Sequence, residues 1–169
     1  MRADNAQAAL PLHTVYSPTL RRIPAVVLIA CCKRKAAEPR PARELYRGDL
    51  FRASVAYAEA AGLPWAVLSA AHRIVLPGQI VAPYDTTLAD LRETARVVWA
   101  RLSVIELFGK IGHPARCIIL AGAKYREHVE TELRSRGVLE VESPLAGLAI
   151  GLQKQRLAAM TAAAIGAAA

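Results

Sequence analysis

One stretch of this chain, Val26 to Lys35, constrains the fold more than any other, and it reads Val-Val-Leu-Ile-Ala-Cys-Cys-Lys-Arg-Lys. Five apolar residues follow one another without alternation, which is typical of a strand covered on both faces in the centre of a parallel sheet. Three cations follow at the point where such a strand leaves the core. Because ligands bind beyond the carboxyl ends of the strands in open α/β sheets, the stretch predicts an anion-binding site there.

The length of 169 residues fits one domain with its own core. Residues 1–22 predict an irregular, basic N-terminal segment, because Pro11 and Pro18 interrupt them, and residues 23–169 predict a single α/β domain. The formal net charge is +8, and residues 1–40 hold seven Lys or Arg against two acids. A basic field in one region favours a polyanionic or phosphate-bearing partner. A basic surface without such a partner stays open as the alternative.

The cysteine content and the apolar runs exclude several classes of protein. The three cysteines, Cys31, Cys32 and Cys117, fit reduced thiols in a cytoplasmic protein and not a disulfide framework. Four ligands at the spacing of a zinc site do not occur, and we expect neither a metal nor another cofactor. The chain has no apolar run long enough to cross a bilayer and no signal-peptide core, so we expect no membrane association.

Apolar runs without alternation predict four strands, and helical periodicity predicts four helices between and after them. Strands that alternate with helices indicate a mainly parallel sheet of four to five strands layered by helices, in the α/β class. Residues 33–43 and 74–87 are predicted as loops, because prolines punctuate both. The predicted strands are Ala25–Ala30, Trp65–Leu68, Cys117–Ala121 and Val138–Val141, and the predicted helices are Glu44–Ala61, one from Thr87 to about Gly109, one ending near Arg136, and Leu148–Ala164.

The longest predicted helix carries both a start signal and a periodic face. Thr87 and Asp90 resemble a capping box at its first turn. Apolar residues recur at intervals of three and four, which predicts that they form its buried face. These residues are Leu88, Leu91, Ala95, Val98, Leu102 and Ile105.

The right-handed crossovers of parallel strands bring all the carboxyl ends of the strands to one edge of the sheet. Four polar clusters follow the predicted strands, and we expect all four to meet at that edge. They are Cys31–Lys35, Ser69–His72, Gly122–Arg126 and Ser143–Gly147.

Two of these clusters have the chemistry of phosphate binding. Lys33, Arg34 and Lys35 can donate strong hydrogen bonds to phosphate oxygens; a charge run that only keeps a strand end hydrated is the alternative. Gly122 and Lys124 precede a helix and offer backbone amides, the helix dipole and a cation, although an ordinary strand-to-helix turn has the same appearance. Neither the P-loop nor the dinucleotide-binding glycine pattern is present.

Other side chains after the strands can serve catalysis or base recognition. His72 can position water or donate to an anion, with Ser69 nearby, but the G-x-S-x-G motif of a serine nucleophile is absent. Tyr84 can stack on a base, and Asp85 can take a proton from water or simply stabilise a helix N-terminus. Tyr46 and Tyr125 are candidates for stacking, for phosphate hydrogen bonds, or for packing alone.

The order of these motifs resembles the DUF6884 family over roughly residues 25–157. The chain has Arg73 where that family commonly has Gly, and Gly48 where it commonly has Ser. The family is distantly similar to YaaA-like proteins and to the uracil-DNA-glycosylase-like domain of archaeosine synthase. That resemblance implies a three-layer α/β/α sandwich and the handling of nucleobases in nucleic acid. The motifs are Cys-Cys-Lys-Arg-Lys, Glu44-Leu45-Tyr46 with Leu50-Phe51, Leu68–His72, Pro83-Tyr84-Asp85 with Thr87-Leu88, Ala121-Gly122 with Tyr125, and Pro144-Leu145 with Gly147-Leu148 and Ile150-Gly151.

Together these observations lead us to expect a base-processing enzyme, most concretely a DNA glycosylase of DNA repair that hydrolyses the N-glycosidic bond of a damaged or modified base. The expected partner is nucleic acid, DNA in preference to RNA, or a nucleotide. A non-catalytic DNA- or RNA-binding module stays open, as does a nucleosidase or deoxyribosyltransferase acting on free nucleotides. The expected catalytic residues are Asp85 and His72, and the expected substrate-binding residues are Lys33, Arg34, Lys35, Tyr46, Ser69, Tyr84, Gly122, Lys124 and Tyr125.

Overall fold

A computed structural model describes residues 21–168 of the chain. The predicted irregular segment 1–22 therefore lies outside the described residues except for its last two, and Arg22 already belongs to the first strand. The strands are β1 (Arg22–Ala30), β2 (Arg40–Pro41), β3 (Trp65–Ser69), β4 (Arg73–Val75), β5 (Ile80–Val81), β6 (His113–Leu120) and β7 (Glu140–Glu142), and the helices are α1 (Ala42–Leu45), α2 (Asp49–Ala60), α3 (Glu93–Lys110), α4 (Ala123–Ser135) and α5 (Ile150–Ala168).

Five of these strands form one sheet in the order β4-β3-β1-β6-β7. The central strand β1 pairs in parallel with β3 and β6, and β6 pairs in parallel with β7. Only β4 runs antiparallel, against β3, and β2 and β5 form a separate antiparallel pair. The predicted α/β class and mainly parallel sheet are confirmed.

The central strand is buried on both faces, as its unbroken apolar run predicts. Val26 to Ile29 are each exposed by 1% or less. Val26 and Leu28 pack in a cluster with residues of α3 and α4, whereas Val27 and Ile29 pack in a cluster with residues of α2 and α5. Successive side chains of a strand point to opposite faces. Because both faces of β1 are covered by helices, every residue from Val26 to Ile29 is apolar.

The predicted helix Glu44–Ala61 is wrong in its first part, because the chain forms two helices, α1 and α2, with a break at Tyr46–Gly48. Tyr46 adopts an extended backbone with ψ of 119° and forms a β-bridge with Lys35. Pairing of the chain with the loop after β1 thus interrupts the helix. The predicted loop 33–43 is shorter than expected, because its residues 40–43 belong to β2 and α1.

The helix predicted from Thr87 begins later than expected. Thr87 and Asp90 do form a capping box, but they cap a short 3₁₀ turn over Leu88–Asp90. The chain is extended at Leu91 and Arg92, and α3 begins at Glu93. The predicted end near Gly109 is close to the observed end at Lys110.

The predicted buried face is wrong within α3, whereas Leu88 and Leu91, which precede α3, do pack on the core. Val98, Leu102 and Ile105 are 55%, 43% and 46% exposed, and Ala95 is exposed as well. The face that packs on the sheet instead carries Trp99, Ala100, Ser103, Val104, Leu107 and Phe108. Both sides of α3 are apolar, so periodicity alone does not identify the side that is covered.

The remaining boundaries differ less from the predictions. The predicted loop 74–87 contains β5 and most of β4. The third predicted strand starts earlier, as β6, while the fourth, as β7, begins two residues later and ends one residue later than predicted. Within residues 21–168, no helix is both long enough and apolar enough to cross a membrane.

Two glycines in and after α3 offer a matched test of backbone strain. Gly112 has φ of +121°, and a Cβ there would overlap the carbonyl oxygen of Arg21, which accepts the hydrogen bond of His113. Gly109 lies in α3, and a Cβ added there would have no atom within 4 Å beyond its own helix backbone. We expect Gly112→Ala to lower the free energy of unfolding by more than about 2 kcal/mol, and Gly109→Ala to raise it by about 0.5–1 kcal/mol.

Urea denaturation followed by circular dichroism measures both effects. If Gly112→Ala and Gly109→Ala changed the free energy of unfolding by the same amount, neither the φ angle nor the contact with Arg21 would constrain position 112.

Candidate functional site

The three central strands end at the same level of the sheet. Ala30 of β1 lies opposite Leu68 of β3, and Ile29 lies opposite Leu120 of β6. The residues that follow these strands therefore leave the core side by side. Three of the four predicted clusters, those after β1, β3 and β6, meet at this edge.

The fourth predicted cluster, Ser143–Gly147, follows a strand that ends slightly earlier than the other three. Its strand β7 ends at Glu142, which pairs with Ile118 of β6, before β6 itself ends. Pro144 lines a different cavity of about 480 Å³, beside Arg116. The fourth cluster thus contacts the edge of the sheet from the side. The Ser143 hydroxyl donates to Glu130, which also pairs with Arg126 of the third cluster. Leu145 packs in the same apolar cluster as Ile29 and Leu120.

The hydroxyl group of Tyr84 is the centre of a hydrogen-bond network at this edge. It lies 2.7 Å from the Ser69 hydroxyl and 2.9 Å from the Tyr46 hydroxyl. The His72 ring stands edge-on to the Tyr84 ring at 5.1 Å, and the Lys35 ammonium lies 4.1 Å from the centre of that ring. The network thus joins five of the predicted site residues, and the ammonium occupies one face of Tyr84.

Trp99 of α3 contacts residues of the site from the buried side and was not predicted as a site residue. Its indole N–H donates to the carbonyl oxygen of Ser69 at 3.0 Å, and its ring stands edge-on to Tyr125 at 5.7 Å. The Ser69 hydroxyl in turn accepts from the backbone N–H of His72 at 3.0 Å. In the sequence, Trp99 is one apolar residue of a helix, and only the fold shows which side chains it touches.

Burial keeps the phenol groups of this region neutral. Burial raises the pKa of Tyr46 to about 12. Burial, followed by the electrostatic effect of Cys31, also raises the pKa of Tyr84 and of Tyr125 above the ordinary value. The unfolded chain therefore ionises first as the pH rises, so stability from these groups is present below about pH 10 and is lost above it. At neutral pH these groups are hydrogen-bonding hydroxyls and not bases.

A cavity of about 170 Å³ opens beside the network, and we call it the polar cavity. Four of the predicted site residues line it: Lys33, Lys35, Asp85 and Tyr125. Lys35 connects it to the network, because the same ammonium lies over the Tyr84 ring. The complete lining is Cys31, Cys32, Lys33, Lys35, Asp85, Thr86, Thr87 and Tyr125.

Other predicted residues lie around the polar cavity without lining it. Ser69, His72, Tyr46 and Tyr84 belong to the hydrogen-bond network. Lys124 is exposed at the start of α4. Arg34 is also exposed. Gly122 lines a second cavity of about 240 Å³.

The two cysteines after β1 line both cavities, although they are not among the predicted site residues. The Cys31 sulfur lies 3.3 Å from the Tyr125 hydroxyl. The Cys32 thiol donates to the carbonyl oxygen of Arg34 and accepts from the backbone N–H of Gly48, each at 3.2 Å. Burial raises the pKa of the Cys32 thiol, which favours the protonated form that donates. Their position directly after a buried strand was the available signal.

A close approach between Gly48 and Cys32 fixes the loop that carries the cations. A Cβ at position 48 would lie 3.0 Å from both the Cβ and the sulfur of Cys32. The backbone N–H of Arg47 also donates to the Arg34 carbonyl at 2.8 Å. The segment before α2 therefore holds the residues after β1 in place, and it brings Arg47 beside them.

Most cations at this edge differ from many others in the molecule, because they have no carboxylate partner; Arg126, which lies 3.5 Å from Glu130, is the exception among the described residues of these clusters. Elsewhere ion pairs such as Arg43–Glu59 at 2.7 Å and Arg116–Glu142 at 2.6 Å are formed. Within the part of the chain that the structure describes, five cations near the strand ends make no ion pair within 4.0 Å: Lys33, Arg34, Lys35, Arg47 and Lys124. Among residues 21–168, no group of three or more His, Cys, Asp or Glu is arranged to hold a metal ion.

Comparison with known families gives one match. A family described as "Family of unknown function (DUF6884)" matches residues 26–159, which is most of the chain and includes the edge described above. Neither the curated proteins nor the solved structures gave a match.

The hydroxyl of Tyr84 is expected to stabilise the site measurably. Tyr84→Phe removes a partner from both the Tyr46 and the Ser69 hydroxyl, so we expect a loss of about 1–3 kcal/mol in the free energy of unfolding. Tyr57→Phe is the control, because its ring is also buried but its hydroxyl makes no hydrogen bond to another described residue; we expect a change within about 0.5 kcal/mol. Urea denaturation compares the two, and equal losses would contradict the central position of Tyr84.

Proposed function

The chain belongs to the DUF6884 family, whose function is unknown, and from the residues of its candidate site we propose that it is an enzyme acting on a nucleobase in nucleic acid. Most concretely, it is a DNA glycosylase that hydrolyses the N-glycosidic bond of a damaged or modified base. The proposal rests above all on the polar cavity, in which one carboxylate, two ammonium groups and one phenol ring line the same small space.

The roles of the cavity residues follow from the chemistry of the bond. When the bond between base and sugar breaks, positive charge develops on the sugar, and a carboxylate beside it stabilises that charge. Asp85 is the carboxylate of the cavity. It orients a water molecule and takes one of its protons as the remaining hydroxyl group adds to the sugar carbon; the bond to the base breaks, and the leaving base takes up a proton from the solvent. His72 supports the leaving base or a neighbouring phosphate.

Recognition of the substrate uses the cations and the aromatic ring. A base in a duplex must leave the stack before its glycosidic bond can be reached. Tyr125 is the stacking ring of the proposal, since it is half-buried and lines both cavities. Tyr84 holds Lys35 and His72 in place, because its hydroxyl is engaged and one of its faces is covered.

The cations around the cavity favour a polyanionic substrate. Lys33 and Lys35 line the cavity, and their ammonium groups have no carboxylate partner in the described part of the chain. Arg34, Arg47 and Lys124 extend the same positive edge. Cations without intramolecular partners can neutralise phosphates without first breaking an ion pair. A nucleic acid strand offers phosphates on both sides of an extruded base, which fits DNA better than a free base.

We also propose the finer features of the fold on the same basis. Helices α3 and α4 pack on one side of β1 and helices α2 and α5 on the other, which supports a three-layer α/β/α sandwich. This arrangement is compatible with the distant similarity to YaaA-like and uracil-DNA-glycosylase-like domains that the motifs suggest.

The glycosylase proposal is tested with single- and double-stranded DNA that carries a panel of modified bases. We expect the wild-type protein to produce alkali-labile abasic sites with at least one of them. Asp85→Asn is expected to reduce the rate of abasic-site formation at least about 100-fold, because it removes the carboxylate that accepts the proton of water. Glu127→Gln, which removes one exposed negative charge on α4, is the control and is expected to keep the wild-type rate.

The outcomes separate the candidate functions. If the wild-type protein binds DNA well but forms no abasic site with any base, the glycosylase proposal is wrong. Release of bases from free nucleosides, but not from DNA, would instead indicate a nucleosidase or deoxyribosyltransferase. Full activity of Asp85→Asn would remove the role assigned to that carboxylate.

A non-catalytic DNA- or RNA-binding module is the second candidate, and the unpaired cations of the edge favour it. In that case affinity falls steeply with salt and no product forms. Plots of log K against log salt have a negative slope. For either function we expect Lys33→Ala and Lys35→Ala each to make this slope less negative by about 0.9, the value for one lost phosphate contact. Arg101→Ala removes the same charge from the exposed side of α3 and is expected to leave the slope unchanged.

Fluorescence anisotropy of a labelled oligonucleotide at several salt concentrations gives these slopes. If Arg101→Ala makes the slope less negative by as much as the two lysine variants do, binding depends on net charge and not on this edge.

A further inference from the structure

The second cavity at the strand ends has a different chemical character from the polar cavity. It has a volume of about 240 Å³ and shares Cys31, Cys32 and Tyr125 with the polar cavity, so these residues separate two adjoining spaces. We call it the apolar cavity, because most of its other lining residues are hydrocarbon side chains. These are Ile29, Ala30, Leu50, Phe51, Leu120 and Ala121.

The polar side chains of the apolar cavity are already engaged in internal hydrogen bonds. The Ser54 hydroxyl donates to the carbonyl oxygen of Leu50 at 2.8 Å. The Cys32 thiol is held between Arg34 and Gly48. The Tyr125 hydroxyl contacts the Cys31 sulfur. Within the described residues, the lining therefore presents hydrocarbon groups to a ligand and keeps its side-chain donors and acceptors for the protein.

Each cavity alone is small for a ligand pocket, since such pockets usually measure about 300–1,000 Å³. A ligand that reaches across the shared residues uses both. Its charged part belongs beside Lys33 and Lys35, and its apolar part belongs beside Leu50 and Leu120. The ring of Tyr125 borders both parts, and a flat base fits against it.

From this division we propose that the substrate is a nucleotide whose base carries an alkyl or similarly apolar substituent, and that this substituent enters the apolar cavity. The inference rests on the proposed function and names its substrate class. An unmodified base edge would lose its hydrogen bonds to water there without gaining side-chain partners, which lowers affinity by about tenfold or more for each unpaired group. An alkyl group loses nothing and gains contacts with the cavity wall.

A series of ligands with growing alkyl groups tests the inference. The probes are deoxyadenosine 5′-monophosphates that carry hydrogen, methyl, ethyl or propyl on the exocyclic amine, and isothermal titration calorimetry measures their affinities. We expect affinity to rise about fourfold for each added carbon, which is the hydrophobic contribution of one buried CH₂, until the cavity is full. Equal affinities along the series would overturn the inference.

Variants of Leu50 show whether the increments arise in the apolar cavity. Leu50 is half-buried on α2 and lines this cavity but not the polar one. Leu50→Phe narrows the space and is expected to end the rise at a shorter alkyl group, whereas Leu50→Ala widens it and is expected to extend the rise. Leu139→Ala is the control, because Leu139 is 80% exposed and its loss is expected to leave the series unchanged.

Circular dichroism confirms that each variant is folded before its affinities are compared. A series that is the same in both Leu50 variants as in the wild-type protein would overturn the placement of the alkyl group. Failure of every probe to bind would overturn the inference as well.

These results are distinguishable from those of the glycosylase assay. If abasic sites form but the affinity series is flat, the proposed function stands and the alkyl inference fails. If affinity rises along the series but no base is released from any substrate, the substrate class stands and the hydrolysis fails.

Discussion

The position of β1 between two parallel partners is the constraint on which the candidate site depends. Hydrogen bonds to β3 and β6 pair both edges of this strand, and its side chains are buried on both faces. A polar side chain within it would lose its hydration without a partner. The first polar groups therefore appear at Cys31, after the strand has left the core, and they appear where two neighbouring strands end as well. The burial that stabilises the sheet thus also determines where a ligand can be bound.

The loop after β1 is fixed by contacts with the segment before α2. The bridge between Lys35 and Tyr46, together with the hydrogen bond between Cys32 and Gly48, leaves this loop little freedom. Lys35 is consequently held over the ring of Tyr84 instead of moving through the solvent. Ordering a lysine side chain costs conformational entropy when a ligand binds, and here folding has already ordered part of it. A phosphate that binds beside Lys35 therefore meets a cation that is largely in place.

The sequence predicted those parts of the fold that depend on a local pattern. A run such as Val26–Ile29 is typical of a strand buried on both faces, and the fold class followed from the alternation of such runs with helical segments. The break at Tyr46 was missed because it depends on pairing with Lys35, a contact that no local pattern records. The covered face of α3 was missed because Val98 and Trp99 belong to two apolar stripes with the same spacing, and only the position of the sheet selects between them.

The candidate site divides in the same way. Lys33, Lys35 and Asp85 were predicted because they follow strands, and the structure places them around one cavity. Trp99 supports the site only through contacts that folding creates, so no local pattern in the chain could select it. This division has a chemical consequence. The hydroxyl groups of Tyr46 and Tyr84 in the supporting network stay neutral because burial raises their pKa, and they therefore hold the same hydrogen bonds across the neutral pH range. The charged side chains Lys33, Lys35 and Asp85 line the cavity instead, so the proposed catalysis and phosphate binding are assigned to that space.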